Sequence, residues 1–172
     1  MTRLEKNREN DFVREYEKLS DGVFRFCLFK ISNREVALDI TQETFTKTWE
    51  YMRAGNTIEN MKAFVYRTAG NLVIDHHRKK KSVSLDSLQE TGFDVGEMTT
   101  EKNEITFDTE LVLKVVGSLD EKYRDVLLLR YTEDMSVKDI AELFGETENT
   151  ISVRIHRGIE KIKEVFDTYG KN

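Results

Sequence analysis

The side chains best equipped for chemistry lie between Asn149 and Lys161, and their chemistry is hydrogen bonding and charge neutralisation rather than bond making. Asn149, Thr150, Ser152, Arg154, His156, Arg157 and Lys161 supply amide, hydroxyl, imidazole, guanidinium and ammonium groups, with Val153 among them. Ile151, Ile155, Ile159 and Ile162 recur between them at three- and four-residue spacings. That period predicts a helix with isoleucines turned inward and the polar groups outward. Glu160 is the only acid between Thr150 and Lys163, although acids outnumber bases from residue 109 to the C-terminus. A basic, amide-bearing face inside an acidic segment suits the major groove of DNA, where Arg and Lys serve phosphates and base edges. An ordinary solvated helix face is the plain alternative.

The residues just upstream favour the groove. Ser136, followed three positions later by Asp139, starts a short helix that carries Val137, Ile140, Ala141, Leu143 and Phe144. Ala141 is small enough for a close helix crossing, Gly145 tolerates the positive φ of a tight turn, and Ile151 plugs the angle between the helices. This spacing predicts a helix-turn-helix whose second helix is the recognition helix. Glu146 and Glu148 precede that helix, where its dipole favours acids.

A second polar constellation lies about 80 residues earlier. Asn71, Asp75 and Arg78 stand at i, i+4 and i+7 and share one helix face, which runs into the basic sequence Arg78-Lys79-Lys80-Lys81. Part of that run also complements a helix C-terminus. Enzyme chemistry finds no comparable footing. His76, His77 and His156 lack metal-ligand companions at useful spacing, and the adjacent histidines project to different sides of a helix. No glycine-rich phosphate loop or nucleophile motif occurs, so no catalytic residue, metal or cofactor is expected. Cys27 is the single cysteine, which excludes an internal disulfide and suits a reducing cytoplasm; its neighbours Phe26, Leu28 and Phe29 mark a buried structural thiol.

The elements that must position these groups are helical throughout. Phe12, Tyr16, Leu19, Val23 and Phe26 form one apolar stripe, Ala37, Ile40, Phe45, Trp49 and Met52 a second, and Met61, Phe64/Val65, Thr68/Ala69 and Leu72/Val73 a third. Ala54-Gly55-Asn56-Thr57 reads as a turn between the last two. Helical period returns at Leu111, Val112, Val115, Val116 and Leu119, and Asp120 is placed to cap a helix carrying Tyr123, Val126, Leu127 and Arg130. The segment between, residues 82–108, loses the period and mixes Ser, Thr and Gly with acids. A structureless stretch that long divides domains. The expected architecture is therefore all-α: a helical bundle over 1–81, an acidic linker over 82–108 and a helix-turn-helix domain over 109–172. There is no proline to kink these helices, and no stretch approaches the ~20 apolar residues that span a bilayer.

Charge is segregated along the same boundaries. The chain carries −5 overall, yet residues 1–81 carry +4, residues 82–108 carry −6 and residues 109–172 carry −3. The acidic middle gives the whole its sign, so the total does not argue against a nucleic-acid partner.

Taken together, the two halves resemble an extracytoplasmic-function (group 4) sigma factor of bacterial RNA polymerase, from about Asp11 to Phe166. In the C-terminal half the resemblance rests on Ser118-Leu119-Asp120, on Tyr123 to Tyr131, on Ser136 to Gly145 as the first helix of the motif, and on Asn149 to Gly158 as the −35 recognition helix. In the N-terminal half it rests on Asp39-Ile40-Thr41-Gln42-Glu43-Thr44-Phe45 with Thr48-Trp49, on Phe64 to Leu72, and on Asp75 to Arg78. The resemblance implies two domains, σ2 and σ4, joined by a linker, with no catalysis of their own. It implies that Asp39, Gln42, Glu43 and Lys47 dock on the β′ clamp helices of core polymerase, which also contributes its β subunit, and that promoter DNA is read at two elements. For the −10 element it implies Asn56, Asn60 and Lys62 in the loop that captures a flipped base, and Tyr66, Arg67, Asn71, Asp75, Arg78 and Lys79 beyond it. Phe64 fits the apolar stripe and reads as core, as does Trp49. Asp75 orients Arg78 or Arg67 or accepts from a base amino group. For the −35 element it implies the outward face of the recognition helix, with Arg130 on phosphate.

The family further implies a cytoplasmic protein held by an anti-sigma factor, commonly a membrane-anchored one, without inserting into the membrane itself. The linker would thread polymerase channels as a polyanion mimic or serve as a plain solubilising tether. Three positions depart from the family pattern. Gly70 stands where a basic residue often precedes the asparagine, and Ser152 and Val153 stand where a basic residue and a serine are usual, which unsettles any transfer of a particular −35 sequence. The competing reading is a helix-turn-helix regulator that binds duplex DNA without polymerase. The Gln42 to Phe45 sequence and the basic run at Arg78 weigh against it.

Overall fold

The computed structural model describes residues 3–83 and 115–169, and all regular structure among them is helical. The chain divides into two compact units, Met1–Thr91 and Gly92–Asn172. The expected linker lies outside the described residues except for its first two positions, which extend a helix to Val83.

The N-terminal unit is a bundle of α1 (Arg3–Ile31), α2 (Arg34–Arg53) and α3 (Met61–Val83), each packed on the other two. Leu19, Val23, Phe26 and Cys27 of α1 meet Ala37, Ile40, Phe45 and Met52 of α2 and Ala63, Val65, Ala69 and Val73 of α3 in one core. Burying an aliphatic side chain of this size contributes about 1.5–3 kcal/mol, which is what holds helices of weak individual stability. Asn33 starts α2, its side-chain oxygen accepting from the Val36 amide at 3.0 Å. Thr41, Thr44 and Thr48 are also buried in the α2 seam. Each hydroxyl donates to the carbonyl four residues earlier, at 2.7, 2.7 and 2.8 Å, so no polar group is left unpaired and the methyl groups join the core. Cys27 is fully buried; desolvation pushes its thiol up to about 11 against a weaker opposing hydrogen bond with Thr41. At neutral pH it is a small apolar group, as its neighbours indicate.

The C-terminal unit holds a helical turn at 115–118, then α4 (Glu121–Tyr131), α5 (Val137–Phe144) and α6 (Glu148–Tyr169). Helix α6 packs on both α4 and α5. Asp120 precedes α4, but its side chain makes no capping bond; its backbone carbonyl accepts from Tyr123 and Arg124 instead. Ser136 does cap α5. Its hydroxyl accepts from the Asp139 amide at 3.0 Å and donates to the Asp139 carboxylate at 2.8 Å. Gly145 ends α5 in the left-handed region, at φ 65°, while the Glu146 amide reaches back to the Ala141 carbonyl at 2.9 Å. Ile140 and Ile151 are fully buried on either side of that turn and Ala141 nearly so.

Candidate nucleic-acid interface

The turn at Gly145 sets the direction of α6, and the burial along α6 sets its faces. Thr147 begins the helix: its hydroxyl oxygen accepts from the Thr150 amide at 3.2 Å, and the two threonine hydroxyls lie 2.9 Å apart. Thr150 is therefore half-buried and engaged at the helix start. Ile151 is buried, and Ile155, Ile159 and Ile162 are half-buried on the inner side. Asn149, Ser152, Val153, His156, Arg157 and Lys161 are all exposed. Six of the expected −35 contacts thus share the outward face of one helix. A close approach that the sequence reading assigned no role fixes its depth: a Cβ on Gly158 would stand 2.8 Å from Leu127 Cδ1 and 3.2 Å from its Cγ, so glycine lets α6 lie directly against α4.

Two other members of the expected set have structural work within the unit. Arg154 is half-buried and pairs with Glu146 at 2.7 Å, tying the second turn of α6 to the loop before it. Arg130 donates to the Met135 carbonyl at 3.0 Å and lies 3.7 Å from the Asp134 carboxylate, bracing the turn between α4 and α5. Both are positioning groups in this structure. His156 lies 3.2 Å from Glu160, and the Lys161 ammonium sits 5.6 Å from the centre of the Tyr123 ring.

In the N-terminal unit, Asp39, Gln42, Glu43 and Lys47 are exposed on the side of α2 opposite its buried seam, with Lys47 and Glu43 3.5 Å apart. Leu38, 41 % exposed, adds an apolar group one turn before Gln42. On α3, Arg67, Asn71, Arg78 and Lys79 are exposed, and the half-buried Asp75 meets Arg78 at 3.1 Å. Ile74 stands between Asn71 and Arg78 with 63 % of its surface exposed. His76 is held below its ordinary value, first by desolvation and then by the basic side chains around it, so its charged form is disfavoured beside that run.

Tyr66 is the correction. It is fully buried, with its ring edge-on to Phe26 at 5.7 Å, because a residue three positions after Ala63 and three before Ala69 falls on the core side of α3. It presents no face to a base. An exposed aromatic near it is Tyr51, 40 % exposed and tilted against the half-buried Phe64 at 4.9 Å, beside the loop that precedes α3. Tyr51 next to Met52 of the α2 stripe was the available sign of it. In that loop, Asn56 donates to the Tyr51 carbonyl at 3.0 Å, and the Asn60 side-chain oxygen accepts from the Ala63 amide at 3.0 Å, starting α3. Lys62 is half-buried.

One unit carries a helix-turn-helix, and the other an exposed polar face on α2 and a basic α3. Residues 109–162 match the family described as Sigma-70, region 4, and residues 15–83 match Sigma-70 region 2. The chain is 27 % identical over 174 residues to the ECF RNA polymerase sigma factor SigW of Bacillus subtilis, covering 94 % of this chain and 91 % of that one. It is 26 % identical over 140 residues to the RNA polymerase sigma factor SigV of the same organism, covering 81 % of each. Among solved structures, the sigma factor RpoE in complex with the anti-sigma factor NepR from Bartonella quintana shares the fold with a TM-score of 0.68 and 20 % identity, over 91 % of this chain and 97 % of that one. CnrH in complex with the cytosolic domain of CnrY shares it with a TM-score of 0.67 and 17 % identity, over 93 % and 90 %. The chain belongs to the sigma-70 family, in its extracytoplasmic-function class, and directs transcription initiation as an alternative sigma factor. The presence of region 2 as well as region 4 sets aside a helix-turn-helix regulator that works without polymerase.

Proposed function

We propose that the exposed face of α6 binds the −35 duplex, that α3 and the loop before it engage the −10 element, and that Asp39, Gln42, Glu43 and Lys47 of α2 dock on the β′ clamp helices of core polymerase. The observation that carries this reading is the exposure of Asn149, Ser152, Val153, His156, Arg157 and Lys161 along one face, over a buried Ile151 and a left-handed Gly145. That face fits the major groove as recognition helices do. Arg157 and Asn149 are placed for base edges, and Lys161 for phosphate. Arg154 and Arg130 act by holding the helix and the turn behind it. On α3, Asn71 and the Asp75–Arg78 pair face DNA together, with Lys79 and Arg67 on phosphates. Asn56 and Asn60 hold the shape of the loop that receives a base.

The chain contributes no bond-making step; core polymerase performs nucleotide transfer. No described helix is long and apolar enough to cross a membrane, and the working compartment is the cytoplasm, where core polymerase and chromosome are found. One structural relative was solved in complex with an anti-sigma factor, which supports an anti-sigma factor as a further partner of this chain. Run-off transcription with core polymerase on genomic fragments tests the whole reading. Discrete starts that require the protein are expected, with shared sequences about 35 and 10 base pairs upstream. DNA binding by the full-length chain without any affinity for core polymerase would overturn it.

A further inference from the structure

We propose that Val153 reads the C5-methyl group of a thymine in the −35 element, which makes it a specificity residue of this chain. The inference rests on the −35 assignment of α6. Its starting point is that Val153 is the odd member of its face. The other aliphatic residues of α6 are Ile151, fully buried, and Ile155, Ile159, Ile162 and Val165, half-buried, whereas Val153 is 40 % exposed. Its neighbours at i−4, i−1, i+3 and i+4 are Asn149, Ser152, His156 and Arg157, all exposed and polar. A β-branched residue on an exposed helix face loses rotamer freedom and returns less to folding than a buried one.

The groove supplies what the unit does not. Of the groups presented in the major groove, the base pairs offer donors and acceptors with one apolar exception, the thymine methyl. Valine has neither donor nor acceptor on its side chain. Pressed against any other base edge it would leave a polar group without water or partner, an unfavourable arrangement that disfavours that base. Against a thymine it closes a dry contact between methyl groups. The stiffness that is a handicap on a free helix becomes useful here, because the side chain is already held in a single rotamer. The same four polar neighbours argue against a protein partner as its main contact. They form a hydrogen-bonding surface around one aliphatic group rather than an apolar patch, and a mixed pattern of this kind matches the edge of a base pair.

The contact is methyl-sized, so it is worth about a fourfold change in affinity. The test uses holoenzyme assembled from the full chain and core polymerase on a promoter mapped by run-off transcription. Each −35 thymine, on either strand, is replaced singly by deoxyuridine, which removes only the methyl. With the natural protein, one position is expected to lose about fourfold in promoter binding. Val153→Ala is expected to lose a similar factor on thymine DNA and to be indifferent to deoxyuridine at that position, while Val153→Thr, which keeps one methyl, recovers part of the loss. Four results would overturn the proposal: a −35 element without thymine, no deoxyuridine-sensitive position, an unchanged sensitivity profile in Val153→Ala, or weaker binding of Val153→Ala to core polymerase in the absence of DNA. Failure of the underlying −35 reading looks different. In that case Arg157→Ala and a scrambled −35 sequence leave initiation unchanged, whereas failure of the Val153 contact alone leaves both of those harmful.

Discussion

Helices α3 and α6 both carry exposed basic residues, but they assemble that charge in opposite ways. Across Met61–Val83 six Lys and Arg face one acid, Asp75, for a net of +5; across Glu148–Tyr169 four Lys and Arg are balanced by Glu148, Glu160, Glu164 and Asp167. In α6 several polar side chains are individually placed: Arg154 on Glu146, His156 near Glu160, Lys161 over Tyr123. In α3 the basic run continues to the last turn, where it also complements the helix dipole. A helix with a large net charge binds a polyanion through counterion release, with little regard to sequence. A nearly neutral helix with positioned side chains depends on directional contacts, which carry sequence information. With the DNA contacts proposed above, the difference would give grip to the N-terminal unit and discrimination to the C-terminal one, a division that can be broken at several points.

The largest expected effect is at Tyr66. With its ring buried against Phe26, Tyr66→Ala is expected to remove about 3–5 kcal/mol of stability, measured by denaturant unfolding, while Tyr66→Phe costs far less and leaves promoter use unchanged. A folded, stable Tyr66→Ala variant that fails only at the −10 element would return this residue to the DNA and enlarge the reading role of α3. Next in size is Arg157→Ala. A base-edge contact is worth about 1–3 kcal/mol, so −35-dependent transcription is expected to fall roughly tenfold while affinity for core polymerase holds. Equal loss of both would erase the separation between the units. The double substitution Gln42→Ala with Glu43→Ala addresses the other surface: core affinity is expected to fall by about 1–2 kcal/mol, with an unchanged unfolding curve because both side chains are exposed. Normal core affinity in that variant would remove α2 from the docking surface.

What the sequence disclosed and what it withheld divide along a physical line. The helix-turn-helix was legible because its determinants are local. Ser136 and Asp139 cap each other, Gly145 takes the left-handed turn, and Ile151 fills the corner, all within sixteen residues. The bundle of the N-terminal unit was legible as apolar stripes, but not its three buried threonines, since hydroxyls bonded to their own helix count as polar in any tally of side chains. Tyr66 was misread although its spacing from Ala63 and Ala69 puts it on the core side of α3; the ring it packs against, Phe26, lies on another helix forty residues earlier. Arg154 and Arg130 carry the charge of DNA-binding groups, and only coordinates reveal the carboxylate and carbonyl that hold them. Gly158 was noticed only as part of the family pattern; its close approach to Leu127 is a property of two helices together.

The smallest effect tests the comparison most directly, because it is read as a slope rather than a loss. If α3 grips mainly through phosphates, each exposed cation there releases about one counterion on binding. Lys79→Ala is then expected to weaken promoter binding by a similar factor on every promoter sequence, and to reduce the slope of log affinity against log salt by about 1. Arg157→Ala should behave in the opposite sense: a loss that depends on the −35 sequence, with little change in slope if its contact is to a base edge. The two variants measured side by side from low to moderate salt give four numbers, and the division of labour requires them to cross. A sequence-dependent loss at Lys79 joined to a full slope change at Arg157 would invert the assignment and place discrimination in the helix with the greater charge.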